Sequence, residues 1–169
     1  MTSAAIELRH FRDVAPVWDT LISVYAEVRA DRLHDPHYSV ERYGERLARH
    51  ASEPGWEAVV GYDGGEAAGY AYGNTIEHGD RYGKRVTPPP ASALTEAPTL
   101  APKEMMVRVP WRKTGASRGI HDELLARRTE EQVTSWSTRW RVRERSIGCT
   151  SRGDTRTSGR AGRRRTRRF

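Results

Sequence analysis

The sequence predicts one α+β domain over residues 1–134, followed by a segment of different composition over residues 135–169. Three observations support the α+β class. Two helical patterns precede two strand patterns, those strands flank an Asp-Gly-Gly turn at Asp63–Gly65, and a fourth strand pattern runs through a short turn into another helix. Because strands and helices do not alternate regularly, the order is typical of an α+β fold rather than a doubly wound one.

The first three elements are a strand and two amphipathic helices. The weak alternation of AIELRHF, residues 5–11, predicts a strand, and apolar residues at helical spacing predict a helix between Val14 and Val28. Asp13 is placed to cap that helix, and Pro16 falls in its first turn, where a missing N–H costs little. A second helix is predicted from Val40 to about residue 52.

A hairpin follows, with strands predicted over residues 56–62 and 66–76. Residues 77–102 are predicted to form a long loop, residues 103–109 a fourth strand, and residues 118–128 a helix. The helix is expected to turn Ile120, Leu124 and Leu125 inward. Residues 131–134 are predicted to start a fifth strand, beyond which neither a helical nor a strand period continues.

Charge divides the chain sharply near Thr134. Residues 135–169 contain twelve arginines, no lysine and two acids, so they carry +10 where the whole chain carries +7, leaving −3 for residues 1–134. The body of the chain therefore gives no electrostatic reason to bind nucleic acid. Cys149 is the single cysteine, so no internal disulfide is expected, and no apolar run predicts a membrane span or a signal peptide. The expected location is the cytoplasm, with no membrane partner.

The segment RKTGAS, at Arg112–Ser117, is where the sequence indicates chemistry. Small residues between a strand and a helix let a ligand approach the backbone, and the first N–H groups of a helix favour an anion such as a phosphate. Arg112 and Lys113 add positive charge. On the turn alone, an ordinary strand–helix corner carrying two solvated cations is the favoured interpretation.

Other familiar sites are disfavoured. The pair Gly83–Lys84 lacks the remaining residues of a P-loop, and no G-x-G-x-x-G is present. His34 and His37 stand three residues apart, but nothing indicates a third metal ligand, so no metal is expected.

The order of elements resembles that of the GNAT superfamily of acetyl-CoA-dependent N-acetyltransferases. Arg112-x-x-Gly115-x-Ser117 is similar to the family's [QR]-x-x-G-x-[GA] motif, with serine at the last position, and Val107-Arg108-Val109-Pro110 resembles the V-x-P that precedes it. The stretch EMMVRVPWRKTGASRGIHDELL is similar to actinobacterial members, and the resemblance covers residues 5–134. It implies a mixed, mostly antiparallel sheet flanked by helices.

The resemblance also implies an activity: transfer of an acetyl group from acetyl-CoA, a co-substrate, to a primary amine of a small molecule or protein. It implies that the N–H groups of Arg112–Arg118 bind the pyrophosphate of coenzyme A, that the backbone of Met106–Val109 pairs with the pantetheine arm, and that a backbone N–H near Val107 meets the oxyanion. The implied coenzyme-binding residues are Met106, Val107, Val109, Arg112, Lys113, Thr114, Gly115, Ala116, Ser117 and Arg118. Glu104 is the candidate base that accepts the amine proton, and a surface acid at the strand end is an equal alternative. A homodimer is possible in such a family.

The family continues with a fifth strand, a helix carrying L-Y-x-x-x-G-[FY] and two more strands, none of which residues 135–169 supply. A one-base shift near codon 135 permits a reading that contains RLYIAWGY, so we interpret this segment as an out-of-frame translation or a disordered Arg-rich tail. On that interpretation the C-terminal strands and helix are missing, and coenzyme binding and turnover are impaired. Two alternatives stay open: a non-catalytic protein that binds nucleic acid non-specifically through its basic tail, and an acyl-CoA-binding regulator without transfer activity.

Overall fold

The computed structural model describes residues 6–77, 97–130 and 132–133, together with the backbone of residues 143–144. The helices are α1 (Trp18–Val28), α2 (Val40–Ala51) and α3 (Ala116–Ala126). The strands are β1 (Glu7–Phe11), β2 (Glu57–Asp63), β3 (Glu66–Ile76), β4 (Thr99–Val107), β5 (Gln132–Val133) and β6 (Arg143–Glu144). Short 3₁₀ turns precede α1 at Ala15–Val17 and follow β4 at Val109–Trp111.

The strands form one sheet in the order β1-β2-β3-β4-β5-β6. Every neighbouring pair is antiparallel except β4 and β5, which are parallel and pair only through Thr99–Gln132 and Leu100–Val133. The predicted α+β fold with a mixed, mostly antiparallel sheet flanked by helices is therefore confirmed for the part of the chain that the structure describes.

Two apolar clusters lie on the two faces of this sheet. On one face, Ala58 and Val60 of β2 and Tyr70 and Tyr72 of β3 pack with the buried sides of α1 and α2. On the other face, Val59 and Ala71 pack with Ile120 and Leu124 of α3. Of the three positions predicted to face inward, Ile120 and Leu124 are buried in this cluster, whereas Leu125 is half-buried and lies outside it. The central strands are apolar on both faces because each face is covered by helices.

The largest difference from the sequence prediction concerns β4. The strand begins at Thr99, although residues 77–102 are predicted to be loop. Residues 78–96 lie outside the described residues. The strand contains Pro102, which cannot donate to a ladder and is normally found at an edge or a bulge. β4 has such a bulge: Gly73 opposes Pro102 and Tyr72 opposes Glu104, so that Lys103 is the extra residue.

The predicted boundary near Thr134 falls between β5 and β6. Arg143–Glu144, inside the segment assigned to the tail, pair with Gln132–Val133 through the backbone. The rest of the predicted tail, Cys149 included, lies outside the described residues. The frame-shift interpretation stays a prediction. No helix among the described residues is long and apolar enough to cross a bilayer.

Candidate functional site

The free edge of β4 is the first component of the candidate site. Arg108 N–H donates to the Ala68 carbonyl at 2.9 Å. This hydrogen bond shows which residues at this end of β4 direct their backbone groups toward β3. Since hydrogen-bonded pairs alternate along an antiparallel ladder, Glu104 and Met106 direct their backbone groups toward β3, whereas Met105 and Val107 direct theirs away. No strand among the described residues lies beside Met105–Val107, and the described residues of β5 pair only with Thr99 and Leu100. Two backbone N–H groups therefore face a position that an extended ligand can occupy.

The turn after β4 is the second component. Trp111 Nε1 donates to Asp63 Oδ2 at 3.0 Å, which ties the turn to the β2–β3 hairpin. Thr114 Oγ1 donates to the Trp111 carbonyl at 2.7 Å, and Arg112 Nε donates to the outward-facing Val107 carbonyl at 3.1 Å. Lys113 has φ 63°, in the left-handed region, where a residue other than glycine is uncommon.

The third component is the start of α3. Gly115 is its N-cap at φ 94°, and a Cβ built there would meet nothing within 4 Å, so open space lies over the helix end. No side chain caps this helix, although Ala116 N–H reaches Thr114 Oγ1 at 3.4 Å. Ser117 and Arg118 follow on the exposed surface. Unpaired N–H groups and the helix dipole make this end favourable for an anion.

The predicted coenzyme-binding residues differ in exposure, and Val107 is half-buried against the cluster that contains Ile120 and Leu124. Val109, Arg112, Lys113, Thr114, Gly115, Ser117 and Arg118 are exposed around the turn and the helix end. Met106 and Ala116 are each 5% exposed, so their side chains belong to the core. The backbone groups of Met106 are directed toward β3, so of these two residues only Ala116 has a backbone placed to contact a ligand.

Glu104 lies on the face of β4 that packs toward α1 and α2, opposite Tyr72 of β3. Burial raises the pKa of this carboxyl, and the charges of Arg46 and Arg29 oppose that rise. A carboxylate with a raised pKa next to an open strand edge has the protonation behaviour of a general base. Arg29 and Arg46 were not predicted as site residues, since they lie about 60 or more positions before Glu104 in the chain.

Beside Glu104 is a cluster of buried aromatic hydroxyls. The Tyr43 and Tyr70 hydroxyls lie 2.7 Å apart, and His50 Nδ1 lies 3.2 Å from the Tyr72 hydroxyl. Burial raises the pKa of Tyr70 well above its usual value, so it stays neutral, and burial together with the charge of Lys103 lowers the pKa of His50 to about 4. The cluster is therefore uncharged at neutral pH. Tyr70 and Tyr72 are fully buried and belong to the core on this face of the sheet.

A second polar cluster, also missed by the sequence, fixes the far end of α3. Arg128 donates to Glu57 Oε2 at 3.2 Å, to Glu130 and to the Gly55 carbonyl at 2.8 Å. His10 lies between Glu57 and Glu123, with one ring nitrogen 2.8 Å from a carboxylate oxygen of each. No group of three or more metal-binding side chains occurs among the described residues, and this covers His34 and His37.

Comparison with known proteins finds solved structures whose overall fold is similar to that of this chain. No family model matches the sequence, and no curated protein matches it. An aminoglycoside acetyltransferase from an uncultured soil metagenomic sample superposes with a TM-score of 0.49 at 14% identity, over 72% of this chain and 70% of that one. A ribosomal-protein-alanine N-acetyltransferase from Brucella melitensis biovar Abortus 2308 gives 0.44 at 15% identity over 72% and 70%. A GNAT family acetyltransferase from Staphylococcus aureus gives 0.47 at 11% over 72% and 76%. At these TM-scores and identities the likeness carries no argument about the activity of this chain.

Proposed function

We propose that this chain is an N-acetyltransferase of the GNAT type, which transfers an acetyl group from acetyl-CoA to a primary amine. The observation that carries the proposal is the continuity of three features over Met105–Arg118. A strand edge with outward backbone groups runs into a turn with positive backbone angles, and the turn ends at an uncapped helix N-terminus. An extended pantetheine arm fits the first feature and a pyrophosphate fits the last.

The binding roles follow from where the backbone groups point. The pantetheine arm would pair with Met105 and Val107, whose N–H and carbonyl groups face the open edge, although Arg112 already donates to the Val107 carbonyl. The pyrophosphate would accept hydrogen bonds from the N–H groups at Gly115–Arg118. Lys113 and Arg118 are exposed beside that position and supply positive charge.

The chemical step needs one base and one oxyanion donor. The neutral amine nitrogen attacks the thioester carbonyl carbon while Glu104 accepts the amine proton. The oxyanion that forms accepts a hydrogen bond from the Val107 N–H, and collapse of the tetrahedral intermediate breaks the C–S bond and releases coenzyme A as its thiol after protonation. Preorganised backbone donors of this kind are the usual stabilisers of acyl-transfer intermediates.

The first test separates binding from chemistry. Isothermal titration of the full chain with acetyl-CoA measures binding, and thiol release with a panel of primary amines measures transfer. Binding with amine-dependent thiol release supports the proposal. Binding without release with any amine would instead favour an acyl-CoA-binding regulator, and absence of both would refute the proposal. Replacing the exposed Arg12, which lies after β1, is the control that shows whether loss of a surface charge elsewhere changes binding or thiol release.

A further inference from the structure

A cavity of about 340 Å³ opens beside α2, the helix that packs on the face of the sheet where Glu104 lies. It is lined by Pro36, His37, Arg42, Glu45, Arg46 and Arg49. The lining thus contains three guanidinium groups and a single carboxylate. The wall is formed by one face of α2 and by the 3₁₀ turn at Pro36–Tyr38 that precedes it.

Ion pairing leaves most of this positive charge uncompensated. Arg42 Nη1 pairs with Glu45 Oε2 at 2.8 Å. Arg46 donates to the His37 carbonyl at 3.5 Å, which is a neutral acceptor. Among the described residues, no carboxylate forms an ion pair with Arg46 or Arg49. The cavity therefore has a formal charge of about +2 at neutral pH before any contribution from His37, which favours an anionic occupant.

Arg46 joins the cavity to the candidate active site. Its guanidinium carbon lies 5.6 Å from the centre of the Tyr43 ring and 6.0 Å from that of Tyr25, and its charge acts on Glu104. Arg29 acts on Glu104 from the end of α1, and its Nε is buried with no hydrogen-bond partner among the described residues. Positive charge therefore extends from the outer cavity to the candidate base.

We propose that the amine acceptor carries an anionic group, a carboxylate or a phosphate, which binds the guanidinium groups of Arg46 and Arg49 while its amine lies at Glu104. This inference rests on the proposed acetyltransferase function and names its substrate class. Guanidinium forks match both anions in shape, and charge-assisted hydrogen bonds to them are stronger than neutral ones. The same field disfavours an acceptor with several positive charges.

The test uses pairs of acceptors that differ in one anionic group. Thiol release by the full chain is measured with β-alanine against β-alaninamide and with O-phosphoethanolamine against 2-methoxyethylamine, and putrescine serves as a dicationic acceptor. Rates are corrected for the fraction of neutral amine. We expect kcat/KM to favour each anionic acceptor at least about tenfold, the ratio that one charge-assisted hydrogen bond supports. The two pairs together show whether a carboxylate or a phosphate is preferred.

Variants assign the preference to the cavity. Arg49 is exposed, so Arg49→Glu leaves the core packing in place, and Arg12→Glu introduces the same charge change outside the cavity. The anionic-to-neutral ratio should fall to about one or below in Arg49→Glu and stay at least about tenfold in Arg12→Glu. Turnover without an anionic preference, or a preference that survives Arg49→Glu, overturns the inference but leaves the proposed function intact.

If no amine supports thiol release, the proposed function fails and the cavity is tested by binding. Isothermal titration with N-acetyl-β-alanine and with inorganic phosphate then replaces the rate assay. Binding that Arg49→Glu abolishes and Arg12→Glu retains supports an anion site at these arginines. Absence of binding, or equal binding by both variants, overturns it.

Discussion

Replacing Arg128 with methionine would remove the cation that two buried carboxylates share. The side chains of Arg128, Glu57 and Glu130 are 6%, 6% and 5% exposed. The guanidinium donates to both carboxylates and also to the Gly55 carbonyl and the Thr75 hydroxyl, at 2.8 Å and 3.1 Å. Methionine fills much of the same volume but donates no hydrogen bond, so the change tests charge pairing more than packing.

The expected loss follows from the burial of all three groups. Removing one partner from a buried ion pair destabilises a protein by about 3–5 kcal/mol, because the remaining charge is left uncompensated. For a domain of this size, that loss corresponds to a fall in Tm of roughly 10–20 °C. Because the cluster joins the end of α3 to β2 and β3, its loss should also loosen the helix whose other end forms the candidate pyrophosphate site.

The assay is urea and thermal unfolding of Arg128→Met and Arg127→Met at pH 7. Arg127 is the matched control, since its side chain is 65% exposed and it pairs with Glu123 at 3.4 Å on the helix surface. Such surface pairs are worth about 0.3–0.5 kcal/mol. Lowering the pH should narrow the difference in free energy of unfolding between the two variants, because the carboxylates that have lost Arg128 can then be protonated. The reasoning is refuted if the fall in the free energy of unfolding in Arg128→Met is within about 1 kcal/mol of the fall in Arg127→Met.

Three further predictions concern the site and the pH response. Glu104→Gln should lower kcat about 10²–10⁴-fold with little change in acetyl-CoA affinity by titration, and wild-type activity should fall as the pH drops through the raised pKa of Glu104. Burial of Glu130 acts to raise the pKa of its carboxyl, but hydrogen bonds from Arg128 and Thr75 outweigh this and lower the pKa. The stability that ionised Glu130 contributes is therefore present at neutral pH and lost as the pH falls through that lowered pKa. In unfolding measurements, Glu130→Gln should lack this acid dependence. Gly115→Ala and Gly64→Ala replace glycines at φ 94° and 56° and should each cost about 1 kcal/mol of stability, but only the former should weaken acetyl-CoA binding.

The sequence predicted the fold well where local patterns are strong. The strand predicted at residues 66–76 has those bounds in the structure, and the hairpin turn at Asp63–Gly65 marks its start. The sequence prediction missed the start of β4, because a proline in a segment predicts a loop rather than a strand. Tertiary pairing with β3 and β5 overrides that local signal, and it does so at a bulge.

The site could be predicted only where its residues are contiguous. The turn and the start of α3 form one stretch of sequence, so the motif resemblance at Arg112–Ser117 could indicate a candidate anion-binding helix end. The environment of Glu104 could not be found in this way, because Arg29, Arg46 and Tyr72 reach it from α1, α2 and β3. Their proximity is a result of packing across the sheet, and no spacing in the sequence encodes it.

The bulge at Lys103 determines which face of the sheet Glu104 occupies. Before the bulge, Ala101 opposes Asn74, whereas after it Glu104 opposes Tyr72. Side chains alternate between faces, so an unbroken strand with Ala101 on the tyrosine face would place Glu104 on the α3 face, away from Arg46. A bulge also increases the local twist and bends the strand. The extra residue therefore accounts for one property of the candidate site: it brings the carboxyl of Glu104 to the face of the sheet that carries the arginines.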